Sequence, residues 1–466
     1  MNLDGICLNK NMSFLGMFEI PNIGSFAGKV LYKQNEQFEI KLFIRNYFKD
    51  ISPLEKITAI LVDDNNKKYF ATFFNCEFHS EGFSSATNEY IAYCEYVLLS
   101  TERYFNQEQD SLKTANIYIK LWDEFCYPQG YKGQAEYEPT MKSFRLSNKM
   151  KISFNQSINA HMLPNDIFNA IFVNFDLTDN EVQNLSTNIK TLLKPYRNKI
   201  GIKIIEKHKW FIQVDNIPTS IGVNLVSYYL TMLIKCLTYD FGASLEKIEI
   251  LSNEDYNGKK IPIKFDFLQY CKSIIQPTKY TNLRGCVTLN SFNETEWKTI
   301  LNNLFKNRQI LEKFFDILFA NHYEETITEY HLERYIDCLS AIGVNKKFSS
   351  QCKYENVLKD FVSDFSIEIR DKLLNIFRKN LKNIEIKSNT FKKRKWGRIG
   401  KQLSELRALT THFNETCKVV YMTKYLDIYF ILELIIIDYI FELLEINKDK
   451  RLEYKLNYLK EFLQTH

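Results

Sequence analysis

The sequence predicts an α+β protein, with a β-rich N-terminal domain carrying a few helices and an all-helical C-terminal bundle. Three observations predict it. Short apolar runs that alternate near period two, parted by polar turns, fill much of residues 1–205. From Asn293 onward, apolar residues recur at helical spacing almost without a break. Asn293 followed by Glu296 has the pattern of a capping box at the start of that helical run.

The elements follow in order. Phe26 to Tyr32 and Phe38 to Phe43 read as a hairpin around Gln34-Asn35-Glu36. Ile57 to Val62 and Tyr69 to Phe74 read as another, joined by the polar turn Asp63-Asp64-Asn65-Asn66. Ala115 to Trp122 and Ile202 to Ile205 are further strands. Thr178 with Glu181 suggests a helix over 181–193. Ser220 to Tyr239 is a helix rich in Leu, Val and Tyr, and Lys247 to Leu251 is a short strand after it. Beyond Asn293, helices are expected at 297–307, 308–320, 327–342, 354–383, 397–412, 418–446 and 450–463. The main boundary falls near 290, giving domains 1–290 and 291–466.

A chain of 466 residues, 45% apolar and 25% charged, has enough core for two or three domains, which excludes a disordered or fibrous protein. Net charge is only +5, but it is unevenly spread. Between Arg370 and Lys401, twelve basic residues face two acids, Asp371 and Glu385, a local net of +10 against −5 elsewhere. Such a block reads either as a solvated helix face or as an electrostatic footprint for phosphates. The ten cysteines form no C-x-x-C pair, and Met1-Asn2-Leu3-Asp4 opens no signal peptide. Free, mostly buried thiols in a cytoplasmic protein are expected.

The most apolar stretch, Tyr425 to Ile446, is long enough to be tested as a membrane span. Its acids decide against one. Asp427, Asp438, Glu442 and Glu445 fall within about 60° of one another on a helix, a polar stripe that lipid would not tolerate. A mostly buried core helix is expected, with Glu433 alone off the stripe, either satisfied in the core or part of a site.

Metal and nucleotide chemistry find little support. The seven histidines make no H-E-x-x-H and no Cys/His ligand spacing. His322 and His331, near Glu324, Glu325 and Glu329, lie nine apart and read as surface polar residues. Gly397-Arg398-Ile399-Gly400-Lys401-Gln402 lacks the spacer and the hydroxyl residue of a P-loop. No G-x-S-x-G is present.

One pattern remains: Leu406-Arg407-Ala408-Leu409-Thr410-Thr411-His412-Phe413-Asn414, which sets an arginine five positions before a histidine. With 13 Arg and 7 His, chance alone yields about 0.6 such pairs at the tolerated spacings, so its position carries the weight. The pair follows the basic block and precedes the long apolar helix.

There the chain resembles a family. Residues 295–466 look like a HEPN domain, the helical bundle of a large RNase group marked by R-x4-6-H. The closer likeness is to the ApeA-type HEPN proteins of bacterial antiphage defence. Leu332-Glu333-Arg334-Tyr335-Ile336-Asp337-Cys338-Leu339-Ser340-Ala341-Ile342 resembles one helix of that group, and Ile369 to Leu374 a second. Thr411-His412-Phe413 resembles the end of its arginine motif. Gly16-Met17-Phe18-Glu19-Ile20-Pro21, then Phe26-Ala27-Gly28-Lys29-Val30-Leu31-Tyr32, is similar to the ApeA N-terminal domain. There are two departures: Ala408 stands where the family usually has a polar residue, and Gly343 where it tends to carry a glutamate.

The resemblance implies an antiphage RNase, acting on RNA such as tRNA, with Arg407 and His412 catalytic and no cofactor or metal. Thr411, Asn414 and Glu433 are supporting candidates. Lys392, Lys393, Arg394, Lys395, Arg398 and Lys401 are candidate RNA contacts. The N-terminal domain would sense a phage-derived trigger or restrain the nuclease. His412, with an ordinary pKa near 6.5, suits proton transfer, and Arg407 a phosphate. On one straight helix the two side chains stand about 140° apart. Either the helix begins between them or two copies meet, as HEPN nucleases do, so a homodimer is expected. Two other readings stay open: a non-catalytic HEPN protein binding RNA or a partner through the basic block, and a β-rich ligand-binding protein with a structural helical tail.

Overall fold

The computed structural model describes residues 6–8, 10–33, 38–44, 53–83, 88–126, 142–163, 203–238, 243–256, 259–269, 287–320, 329–386, 394–411 and 424–464. The fold is α+β, with strands in the N-terminal part and helices in the C-terminal part. The strands are β1 Met12–Ile20, β2 Gly24–Tyr32, β3 Glu39–Ile44, β4 Leu54–Val62, β5 Lys68–Phe83, β6 Asn88–Ser100 and β7 Ala115–Ile119. They continue with β8 Lys142–Arg145, β9 Lys151–Leu163, β10 Lys203–Asp215, β11 Leu245–Tyr256 and β12 Lys259–Gln269. All join in the order β3-β2-β1-β4-β5-β6-β12-β11-β7-β10-β9-β8, and β3 also pairs with β6. That extra pairing closes β1 to β6 into a six-stranded barrel, from which the remaining strands extend as an open sheet.

Closure demands sharply curved strands, and glycines permit it. Gly16 on β1 faces Gly28 on β2. A Cβ on Gly16 would sit 2.2 Å from the Ile60 carbonyl oxygen, and one on Gly28 2.5 Å from that of Lys41. Side chains are therefore excluded where neighbouring backbones press in. Phe18 and Phe73, ring centroids 5.7 Å apart, and buried Ile40, Leu42 and Leu61 belong to the apolar core here.

The helices are α1 Trp122–Cys126, α2 Gly222–Thr238, α3 Glu294–Lys306, α4 Arg308–Ala320 and α5 Glu329–Asn345. Then come α6 Lys353–Val362, α7 Ile367–Asn380, α8 Lys395–Thr411, α9 Leu426–Leu443 and α10 Lys448–Gln464. The capping box at Asn293 is present: its side chain accepts from the Glu296 N–H at 2.9 Å, and Glu296 accepts from the Asn293 N–H at 2.8 Å.

Three sequence expectations need correction. The helix expected over 354–383 is two, α6 and α7, because Ser366 turns the chain and caps α7 through the Ile369 N–H. The strand from Ala115 ends at Ile119, since Leu121 takes a left-handed φ of 71° and starts α1 instead. His331 is 1% exposed, not a surface residue; it precedes Leu332 and lies one turn before Tyr335 on the inward face of α5. The expected helix over 181–193 and the turn at 34–36 lie outside the described residues.

Strand gives way to helix between Gln269 and Glu294, but the apolar core runs on without a break. Helix α2, buried along almost its whole length, bridges the two parts. Its Tyr228 hydroxyl donates to Asp316 of α4 at 2.8 Å, and the Tyr454 hydroxyl of α10 donates to the Cys236 carbonyl at 2.6 Å. Trp297 of α3 packs edge-on against Phe154 of β9 at 5.2 Å.

Among the described residues no helix is long and apolar enough to cross a membrane. Helix α9 is a core helix that carries three of the four stripe acids, each of them paired, while Glu445 lies exposed just past its end with a left-handed φ of 57°. Asp427 accepts from Asn380 at 3.1 Å, Asp438 binds Arg451 at 2.9 and 3.0 Å, and Glu442 binds Lys346 at 2.5 Å.

Candidate functional site around Arg407

Helix α8 carries Arg407 of the candidate motif and packs against α5 and α6. Ile399, Leu403 and Leu406 form its buried stripe. Its first turns lie close to α6: a Cβ on Gly400 would come within 2.9 Å of the Glu355 backbone nitrogen, and one on Gly397 within 2.9 Å of the Glu355 carboxylate. Gly397 and Gly400, in the segment that lacks the features of a P-loop, are thus a helix-packing device. Gln402 secures the other flank, donating to the carbonyls of Leu381 at 2.8 Å and Ile384 at 3.0 Å just past α7.

This packing carries Arg407 to the rim of α5. Its guanidinium forms an ion pair with Asp337, and the two side chains are 44% and 41% exposed. Arg407 also hydrogen-bonds the Tyr354 hydroxyl of α6, which Ser340 of α5 contacts as well. Burial raises the Tyr354 pKa above its ordinary value, opposed by the neighbouring Arg407 charge. Three helices therefore converge on one guanidinium that is oriented yet open to solvent. Asp337, Ser340 and Tyr354 were not singled out in the sequence. Asp337 and Ser340 lie within the α5 run quoted above, three apart on one face; for Tyr354 there was no local signal.

Arg407 lies within α8, and the described part of the helix ends at Thr411. The helix therefore does not begin between Arg407 and His412. His412, Asn414, Lys392 and Lys393 lie outside the described residues.

Glu433 does not join this site. It is fully buried on α9 and accepts from the Tyr335 hydroxyl at 3.2 Å. Tyr429 in turn donates to the Tyr335 oxygen at 3.2 Å, with the two rings stacked at 4.6 Å. The isolated acid of the apolar helix is thus a core carboxylate held by a tyrosine pair.

The basic candidates divide. Arg394 is ion-paired to the buried Glu355 at 3.2 Å, and Lys401 to Glu405 at 2.7 Å. Lys395 and Arg398 are exposed near the start of α8, and Arg378, Lys379 and Lys382 are exposed at the end of α7. A Phe377–Trp396 ring contact of 6.2 Å joins the two helix ends, so these charges form one basic rim. Nine residues separate Arg398 from Arg407, which sets them on opposite sides of α8. The rim does not run into Arg407 along one face.

Gly343 also has a local reason. A Cβ there would lie 2.8 Å from the Lys353 Cβ, where α5 meets the start of α6. A larger side chain would push apart the helices that carry Asp337 and Tyr354.

Elsewhere, a charged cleft of about 270 Å³ lies among Asp360, Asp364, Asp438, Glu442, Lys448 and Arg451. Its acids are paired, Asp364 with Lys448 at 2.7 Å and Asp438 with Arg451. Among the described residues no group of three His, Cys, Asp or Glu side chains is arranged to hold a metal. Comparison with family models, curated proteins and solved structures gives no match.

Proposed function

We propose that this chain is a HEPN-type endoribonuclease of antiphage defence that cleaves RNA through Arg407 and His412. One observation carries the reading. Arg407 is half-exposed, oriented by Asp337 and Tyr354, and carried on α8 with His412 five positions on in the sequence. A fixed cation, open to solvent and followed in the sequence by an imidazole that can accept or give a proton, suits phosphodiester transfer.

In this mechanism the RNA 2′-oxygen attacks the adjacent phosphorus, and the bond to the 5′-oxygen breaks. His412 accepts the 2′-OH proton or gives one to the departing 5′-oxygen. Arg407 neutralises the charge that gathers on the phosphoryl oxygens in the transition state. The products are a 2′,3′-cyclic phosphate and a 5′-OH. On one straight helix the two side chains would point about 140° apart, which favours a homodimer in which two motifs face one another. The basic rim of α7 and α8, on the far side of α8 from Arg407, attracts the polyanion to the bundle without placing it at Arg407, and the β-rich domain answers a phage-derived trigger.

A second reading has its own support. Asp337 neutralises Arg407, and Ala408 adds no polar group, as in a protein that binds RNA or a partner without cutting. Incubation with bulk tRNA in chelator separates the two. The nuclease reading expects 2′,3′-cyclic phosphate ends from the wild type alone; retained, salt-sensitive binding with intact RNA would favour the second.

A further inference from the structure

Two cysteines stand directly opposite one another in the barrel wall. Cys76 of β5 is the register partner of Cys94 of β6. Residues facing each other across antiparallel strands project to the same side, with Cβ atoms about 4.5–5.5 Å apart. A disulfide spans Cα separations of about 4.4–6.8 Å and Cβ separations of about 3.5–4.5 Å, so closure needs a shift of about 1 Å or less. Both are free thiols here.

Their position is unusual within the fold. Up to Tyr93, β6 pairs with β3 and closes the barrel; from Tyr96 it pairs with β12 and opens into the long sheet. Cys94 lies between the two partners. Opposite it, β5 passes through Asn75 in a left-handed conformation, φ 52°, immediately before Cys76. Beyond the fork, stacked Phe74, Tyr96 and Phe267 begin the open sheet. The cysteine pair thus spans the point where barrel and sheet divide.

We propose that Cys76 and Cys94 are an oxidation site, closed to an intramolecular disulfide by a hydroperoxide. Cys76 is fully buried and Cys94 is 9% exposed, so Cys94 meets the oxidant. Its sulfur attacks one peroxide oxygen, the O–O bond breaks, and Cys94 becomes a sulfenic acid while water or an alcohol departs. The Cys76 sulfur then attacks the Cys94 sulfur, the S–O bond breaks, and a second water leaves with the Cys76 proton. Two thiols are oxidised by two electrons and one peroxide is reduced. Burial holds the Cys76 thiol up to about 12 and the Cys94 thiol well above its ordinary range. The reaction is therefore slow at neutral pH and quickens as pH rises, about tenfold per unit while thiolate is scarce.

Full-length protein is treated with hydrogen peroxide, denatured, alkylated and mapped by mass spectrometry. The expected result is a Cys76–Cys94 linked peptide about 2 Da lighter than the two thiol peptides together, ahead of any linkage among the other cysteines. Its rate rises from pH 7 to pH 9, and the oxidised protein melts at a higher temperature. In Cys76→Ser, Cys94 is trapped as a sulfenic acid by dimedone. Cys76 and Cys94 still alkylatable after the other thiols react would overturn the assignment, as would a link from Cys94 to another cysteine. Because the mapping uses wild-type protein, it stands even if Cys76→Ser fails to fold.

Discussion

Asp337 on α5 and Arg407 on α8, seventy residues apart, are joined as an ion pair at the surface of the helical bundle. If Arg407 meets a phosphate, Asp337 sets the direction from which it does so. Asp337→Ala is expected to lower the cleavage rate by about 10²-fold through misplacement of the guanidinium, while RNA binding changes little. Arg407→Ala is expected to abolish cleavage. Single-turnover kinetics beside a binding isotherm check the distinction; equal loss of both for Asp337→Ala would show a folding defect instead.

The Tyr429–Tyr335–Glu433 chain predicts a structural role for Glu433. Glu433→Ala leaves the buried Tyr335 hydroxyl without this acceptor and opens a cavity, at a cost of about 2–4 kcal/mol. Tyr335→Phe costs about 1 kcal/mol. Chemical denaturation measures both, and Glu433→Gln is expected to retain cleavage per folded molecule.

Close helix approach at Gly400 and Gly343 predicts intolerance of side chains. Gly400→Leu would drive a side chain into the α6 backbone at Glu355, and Gly343→Glu would force one against Lys353. Each is expected to lower stability by about 1–3 kcal/mol. Restoring the glutamate found in the resembling family is thus expected to harm this chain; the thermal midpoint of Gly343→Glu reports it.

The loop after β6 predicts an acid dependence. Asp110 is buried, and burial alone would raise its pKa. Arg103, which grips it at 2.6 and 2.8 Å, together with Ser252 and the Asn106 N–H, holds it below the usual 3.8. A depressed carboxylate contributes stability that is present above its unfolded pKa and lost as pH falls through the folded one. Arg103→Ala is therefore expected to cost about 3 kcal/mol near pH 7 and less near pH 3. Urea unfolding at both values tests this.

The basic rim predicts a salt signature. Replacing Lys379, Lys395 and Arg398 by Ser is expected to weaken RNA binding and to reduce the slope of log affinity against log salt by about 0.7 per lost contact. An unchanged slope would mean that RNA does not use this rim.

Much of the fold was legible because local pattern and tertiary role agree. The capping box at Asn293, the turn at Asp63 and the buried character of α9 follow from neighbours a few residues apart. What was hidden depends on distant partners. Closure of the barrel by β3 against β6 leaves no local trace beyond Gly16 and Gly28. The break between α6 and α7 was masked because Phe361, Phe365 and Ile369 continue the apolar spacing past Ser366. At the site, Arg407 was found by motif, but Asp337 and Tyr354 reach it only through helix packing. Glu433 was flagged as odd within an apolar helix, and only its tyrosine partner tells that it belongs to the core.

End-labelled tRNA incubated with the protein in excess chelator asks whether Arg407 and His412 together cut RNA. Wild-type protein is expected to leave 2′,3′-cyclic phosphate ends, and Arg407→Ala and His412→Ala to leave none. No cleavage by the wild type, or equal cleavage by either variant, would contradict this.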